Sequence, residues 1–129
     1  MMRRTAALAI VAVLSVGTGA PASAASDEDA VRAVLEGMNR SYNRSDFGGF
    51  AAHLCAEMRR AAGFEAGWRR SRTSDGPTQI TVNSVSVTET AAVANVRFVA
   101  ADHDKTLDIE FLREGSEWKA CRYRTGQTI

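Results

Sequence analysis

The sequence predicts an α+β domain, with two or three N-terminal helices packed on a curved four-stranded antiparallel sheet. Two observations carry this expectation. Apolar residues recur at helical spacing through the first half of the chain, and from Thr78 onward they alternate with polar ones. A third observation fixes the strand direction: the alternating runs are joined by turns too short for anything but antiparallel neighbours.

The first helix opens at Ser26-Asp27-Glu28-Asp29. Ser26 is the expected N-cap, and the three acids suit the positive end of a helix. Val31, Val34, Leu35, Met38 and Tyr42 then form one buried stripe, with Arg32, Glu36, Asn39, Arg40 and Asn43 on the other side. Asn43-Arg44-Ser45-Asp46 reads as a turn in which Ser45 or Asp46 caps a second helix. That helix carries Phe47, Phe50, Ala51, Leu54, Cys55 and Met58 at helical spacing. Gly48 and Gly49 weaken its start, and close approach to the first helix is the most economical reason for them. A short third helix is expected within residues 59–70, using Phe64 and Trp68. Ser71 to Pro77 is read as a loop, stopped by Asp75-Gly76-Pro77.

The first strand pairs Ile80 and Val82 with Val85 and Val87, and the phase slips at Asn83-Ser84. Such a slip predicts a bulge, because an unbroken strand would send the two pairs to opposite faces. Thr88-Glu89-Thr90 turns into a strand over Ala91 to Val99, with Ala92, Ala94, Val96 and Phe98 on one face. Ala101 to Asp104 turns again, and Leu107, Ile109 and Phe111 alternate with Asp108, Glu110 and Leu112. Glu114-Gly115-Ser116 leads into the last strand, Glu117 to Tyr123. Residues 124–129 are expected to form a flexible tail.

The N-terminus predicts a signal peptide over residues 1–24. Arg3-Arg4 precede an apolar run from Ala6 to Val16, and Ala22-Ser23-Ala24 is a small-residue cleavage site. The run is about 11 residues, short of the roughly 20 that a spanning helix needs. Export to the cell envelope or the medium follows as an expectation, with no membrane span after signal removal and a single α+β domain over residues 25–123. Without Arg3 and Arg4 the chain keeps 14 basic against 15 acidic residues, a net −1. Such a balance excludes a general nucleic-acid binder. Cys55 and Cys121 are the chain's two cysteines, and in an exported protein they are expected to form a disulfide. They are too few for a metal centre, and no cofactor motif or glycine-rich phosphate loop accompanies them. Asn39-Arg40-Ser41 and Asn43-Arg44-Ser45 match the glycosylation acceptor pattern, which matters only in a eukaryotic secretory route.

Three stretches carry a family resemblance: Asn43-Arg44-Ser45-Asp46-Phe47-Gly48-Gly49-Phe50, Leu54-Cys55-Ala56-Glu57-Met58, and Gly115-Ser116-Glu117-Trp118-Lys119-Ala120-Cys121. On these the chain resembles the nuclear-transport-factor-2-like superfamily, the cone-shaped or cystatin-like α+β fold, and more narrowly its small exported actinobacterial members. The resemblance implies helices lying in the concave side of a strongly bent sheet, with a pocket between the two layers. It also implies that the cysteines join the second helix to the last strand.

The fold hosts isomerases, dehydratases, transport factors and domains without catalysis, so residues must decide among them. No catalytic residue is assigned. Tyr42, at the end of the first stripe, is the candidate hydroxyl at a pocket. His53 stands beside the second stripe, either paired on the surface with Glu57 or facing a cavity. Asp46 reads as a cap, Asp108 and Glu110 as the wet face of a strand, and His103 as an exposed turn residue. Trp68, Arg69 and Arg70 belong to an arginine-rich stretch, net +2 over residues 57–75, that suits an anionic group or a partner. The function expected is binding without catalysis, of a small apolar or amphipathic ligand or of an envelope protein partner. The alternative is a small isomerase-like or dehydratase-like enzyme acting on a hydrophobic substrate. The charges expected on the outer sheet face favour a monomer or weak dimer.

Overall fold

A computed structural model describes residues 21–125, with side chains from 26 to 124. The expected signal peptide lies outside these residues except for its last four, and so does the end of the expected tail, residues 126–129. Among the described residues four helices precede four strands: α1 (Pro21–Asn43), α2 (Phe47–Ala51), α3 (Ala56–Arg59), α4 (Phe64–Asp75), β1 (Gln79–Val87), β2 (Ala91–Val99), β3 (Asp104–Glu114) and β4 (Glu117–Thr125). The strands pair antiparallel in chain order to form one curved, unclosed sheet. The α+β architecture with helices on a curved four-stranded sheet is therefore as the sequence predicts.

The helix boundaries differ from expectation in instructive ways. α1 begins upstream of Ser26, which therefore lies inside the helix and is not its cap. The predicted second helix is broken into α2 and α3. Between them Leu54 bridges Ala120 of β4 in parallel, the Cys55 N–H donates to the Ala120 carbonyl at 2.9 Å, and the Ala120 N–H donates to the His53 carbonyl at 2.8 Å. Strand-like hydrogen bonds to the sheet edge thus replace one turn of helix, a tertiary gain that outweighs the helical period of the apolar residues. Asp46 is the cap of α2, accepting from the Gly49 N–H at 3.0 Å. Gly49 is required by close packing: a Cβ there would stand 2.8 Å from the Ser41 Oγ of α1 and 2.5 Å from the Asp46 carboxylate.

α4 is longer than expected. It absorbs Ser71 to Asp75, read as loop, and stops only at Gly76, whose φ of 74° ordinary residues rarely adopt. Arg72 explains the extension, because its Nε and Nη2 donate to the Tyr42 and Asn43 carbonyls at the C-terminus of α1, each at 2.9 Å. One guanidinium thus reaches two of the last carbonyls of α1, that of Asn43 and that of Tyr42, which also accepts from the Ser45 N–H at 3.0 Å. β4 also runs past Tyr123 to Thr125, so Arg124 and Thr125 belong to the sheet and not to the tail.

The register shifts between Val82 and Ser84, as the sequence predicts, and Ile80, Val82, Val85 and Val87 all join the core face. A second shift, not expected, leaves Cys121 as the extra residue opposite Glu110 and Phe111. It puts Trp118 and Ala120 on one side of the slip and Tyr123 on the other, all against the core. The bulges bend the strands and increase their twist, which is how a sheet this small curves around its helices. Val31, Leu54, Phe111, Trp118 and Ala120, each at most 3% exposed, fill one end of the cone. The Arg113 guanidinium covers Trp118 at 4.4 Å and pairs with Asp27 at 2.9 Å, fastening α1 to β3.

The Cys55–Cys121 disulfide joins the segment before α3 to the bulge of β4, with Cα atoms 5.0 Å apart. No described helix is long and apolar enough to cross a membrane.

Candidate functional site

At the other end the cone is hollow. A cavity of about 470 Å³ lies between helices and sheet, within the range of small-molecule sites. Leu35 and Met38 of α1, Phe50 of α2, and Phe64 and Trp68 of α4 form the helical wall. Ile80, Phe98, Leu107, Ile109 and Tyr123 form the sheet wall. Phe111 and Trp118 fill the opposite end of the cone, Phe50 and Phe98 stand at the cavity edge, and Phe47 packs behind Trp68 with ring centroids 5.2 Å apart.

The cavity has one polar end, built by a single helical stripe. Phe64, Trp68, Ser71 and Asp75 fall at offsets of four, seven and eleven along α4, so they share its inner side. The stripe begins apolar and ends polar. Its polar half meets Tyr42, the last residue of the buried stripe of α1: the Tyr42 hydroxyl and Ser71 Oγ are 2.8 Å apart. Ser71 Oγ also donates to Asp75 Oδ2 at 3.4 Å. The other Asp75 oxygen is 3.0 Å from His103 Nε2, and His103 comes from the β2–β3 turn. Thr78 and Lys105 complete this end. Asp75 is mostly covered, at 23% side-chain exposure, while His103 is half exposed at 51%. Hydroxyl, hydroxyl, carboxylate and imidazole therefore form one continuous polar chain from the cavity to solvent.

Tyr123 adds a second phenol on the sheet wall. Burial raises its pKa above the ordinary value, so it stays a neutral donor. No hydrogen-bond partner for it is present among the described residues.

The candidates named from sequence separate cleanly. Tyr42 lines the cavity. Trp68 also lines it, but as an apolar wall: its indole nitrogen is sealed from solvent and has no partner among the described residues, while Tyr42, Phe47 and Phe50 pack around its ring at 5.2–5.3 Å. His53 is not in the cavity. It lies against Gly37 of α1, where a Cβ would come within 2.9 Å of Nε2, and burial first, then Lys119 and Arg40, lowers its pKa. The arginine stretch is not one patch. Arg59 donates to the Leu54 carbonyl at 2.8 Å, Arg72 caps α1, and Arg69 pairs with Glu65 at 2.8 Å while its guanidinium covers Phe47. Arg69 and Arg70 both line a shallow groove that continues the cavity mouth past Ser71, Asp75, His103 and Lys105, and of the two only Arg69 has a carboxylate partner among the described residues.

Ser71, Asp75, Thr78, His103, Lys105 and Tyr123 are among the lining residues that the sequence reading did not assign to the site, and so is Asn39, which it placed on the outer side of the first helix. The α4 stripe was the available signal. It is hidden by Gly67, Ser71, Thr73 and Ser74, which lower helix propensity just where the polar half of the stripe begins. Asp108 and Glu110 are on the outer face as expected: Asp108 accepts from Asn95, itself paired with Asn83, and Glu110 pairs with Arg122 and Arg124.

No family model matches the sequence, and no curated protein matches it. Solved structures do. An NTF2-like protein of unknown function from Shewanella baltica OS155 aligns with a TM-score of 0.63 at 13% identity, over 81% of this chain and 97% of that one. TsrD from Streptomyces laurentii aligns at 0.58 and 21% identity, over 78% of this chain and 90% of the other. An NTF2-like protein of unknown function from Shewanella oneidensis MR-1 aligns at 0.54 and 12% identity, covering 71% and 92%. At these identities the likeness speaks for architecture alone, and with the curved sheet, its bulges and the hollow cone it places this chain in the NTF2-like fold.

Proposed function

We propose that this is an exported domain that holds a small amphipathic molecule in its cone, apolar part inward and polar group at the Tyr42–Ser71–Asp75–His103 end. The observation that carries the reading is the cavity itself, about 470 Å³ with apolar walls and one polar end. A core evolved only for stability is close-packed, whereas this one leaves a space of ligand size beside the hydrogen-bonded Tyr42–Ser71–Asp75 chain. Export is supported by the Arg3-Arg4, Ala6–Val16 and Ala22-Ser23-Ala24 pattern and by the paired cysteines. The mature chain then begins at Ala25, which the mass of protein collected from the culture medium tests directly. A monomer is supported by the outer sheet face, where the Asn83–Asn95–Asp108 ladder and the Arg97–Asp104 pair present paired polar groups around exposed Val93 and Leu112.

The test of binding is a titration with straight-chain amphiphiles, followed by emission of Trp68 on the cavity wall. Saturable change in the native domain, and its loss in Gly67→Leu, supports the reading. A Cβ at Gly67 meets only the Arg70 guanidinium, at 3.8 Å, so this substitution puts a side chain beside the cavity without a backbone clash. Absence of any saturable response refutes the ligand reading and turns attention to an envelope protein partner.

One observation favours proton-transfer chemistry as a second reading: a carboxylate and an imidazole 3.0 Å apart at the polar end of an apolar cavity. Held this way, the imidazole is positioned to take or give a proton, with Asp75 fixing its orientation. Solvent deuterium entering the α-carbon of a bound cyclic ketone, and ceasing to do so in Asp75→Asn, is the signature of this reading. Binding without such exchange leaves the domain a carrier.

A further inference from the structure

We infer that the molecule held in the cone is a singly charged anion, an amphiphile ending in a carboxylate. This rests on the ligand reading above and adds the charge class of its polar group. Two cations stand at the cavity mouth without a carboxylate of their own. Lys105 lines both the cavity and the groove outside it, and Arg70 lines the groove. Among the described residues neither has an acidic oxygen within ion-pair distance, whereas Arg69 beside them in the groove is matched by Glu65.

The charges facing the mouth are therefore Lys105, Arg70, Asp75 and His103, with the Arg69–Glu65 pair neutral to one side. With the imidazole counted as neutral they sum to +1. One carboxylate balances this set. A neutral head leaves the cations unmatched, and a cationic head adds a third positive charge beside them. The depth of the site agrees with the charge. The walls beyond Ser71 and Tyr42 are aliphatic and aromatic, so an ionised group is excluded from the interior and has only the mouth to occupy. Lys105 reaches it as a flexible point charge, and Arg70 as a planar donor fork that matches carboxylate geometry.

Three probes of equal chain length, an alkyl carboxylate, the alcohol and the trimethylammonium, separate the possibilities by Trp68 emission or calorimetry on the purified domain. The carboxylate is expected to bind about tenfold more tightly than the alcohol at low ionic strength, two exposed pairs acting together. That advantage should shrink as salt is added. In Lys105→Gln/Arg70→Gln the preference should vanish while affinity for the alcohol stays, which also shows that the variant is folded. Equal binding of carboxylate and alcohol, or preference for the ammonium, overturns the inference and leaves the ligand reading intact. Failure of all three probes to bind overturns both.

Discussion

Opening the Cys55–Cys121 bridge should cost the domain about 4 kcal/mol. The perturbation is the double substitution Cys55→Ala, Cys121→Ala, in which alanine avoids burying an unpaired hydroxyl at Cys55, only 5% exposed. The two cysteines are 66 positions apart. Closing a loop of that length removes roughly 15 cal/mol/K from the unfolded chain, which is about 4 kcal/mol at 25 °C. The native contacts around the bridge do not depend on sulfur. The Cys55 N–H still reaches the Ala120 carbonyl, the Ala120 N–H still reaches the His53 carbonyl, and Leu54 remains fully buried. The loss should therefore fall on the unfolded state, with the folded spectrum unchanged. Urea denaturation at fixed pH reads it as a fall in midpoint, together with a steeper slope because the uncrosslinked chain exposes more surface. The melting temperature should fall by about 15–30 °C at the sensitivity of a domain this size. Since whole domains are held by about 5–15 kcal/mol, the reduced form should be close to the edge of folding at body temperature. A loss below about 1 kcal/mol would refute the loop-entropy argument. An oxidised mass equal to the reduced one would refute the bridge itself.

Asn43→Ala should destabilise by about 2–3 kcal/mol in the same assay, because the amide holds both backbone groups of buried Thr78, at 2.9 and 2.8 Å, and its loss strands them. Gly67→Ala should instead stabilise by up to about 1 kcal/mol from helix propensity, since the added Cβ meets no backbone. Gly37→Ala should gain nothing in the native background, where His53 Nε2 stands 2.9 Å from the new Cβ, yet gain about 1 kcal/mol when combined with His53→Ala; additivity in that double-mutant cycle would count against the contact. Stability should fall as pH drops through 6.5. Burial lowers the folded pKa of His53 below that value, so the unfolded chain takes the proton first and is favoured by it. Above 6.5 both states are neutral and this contribution is absent. Urea midpoints across that range should be flatter in His53→Gln, and an unchanged slope would refute the assignment.

Periodicity and turn chemistry made the layers legible. The stripe Val31, Val34, Leu35, Met38, Tyr42, the slip at Asn83-Ser84 and the alternation of Leu107, Ile109 and Phe111 are local patterns with one solution each, because a helix or strand with one apolar face has only one way to bury it. Cysteine count gave the bridge in the same way, two thiols allowing one intramolecular pairing. The cap at Asp46 was readable because its bond to Gly49 spans three residues.

What the tertiary structure decided was everything that depends on a neighbour distant in sequence. The split of the second helix follows from hydrogen bonds to Ala120, the extension of α4 from Arg72 reaching α1, and the second bulge from the strand that carries Cys121. The polar end of the cavity is of the same kind: Tyr42, Ser71, Asp75 and His103 come from three elements, and no spacing in the chain announces that they meet. His53 shows the reverse, a residue with a suitable side chain that packing turns toward Gly37 and away from the cavity. Sequence determines which face an element must bury. Only the packing of one face on another determines where the burial is incomplete, and it is in that remainder that a ligand has room.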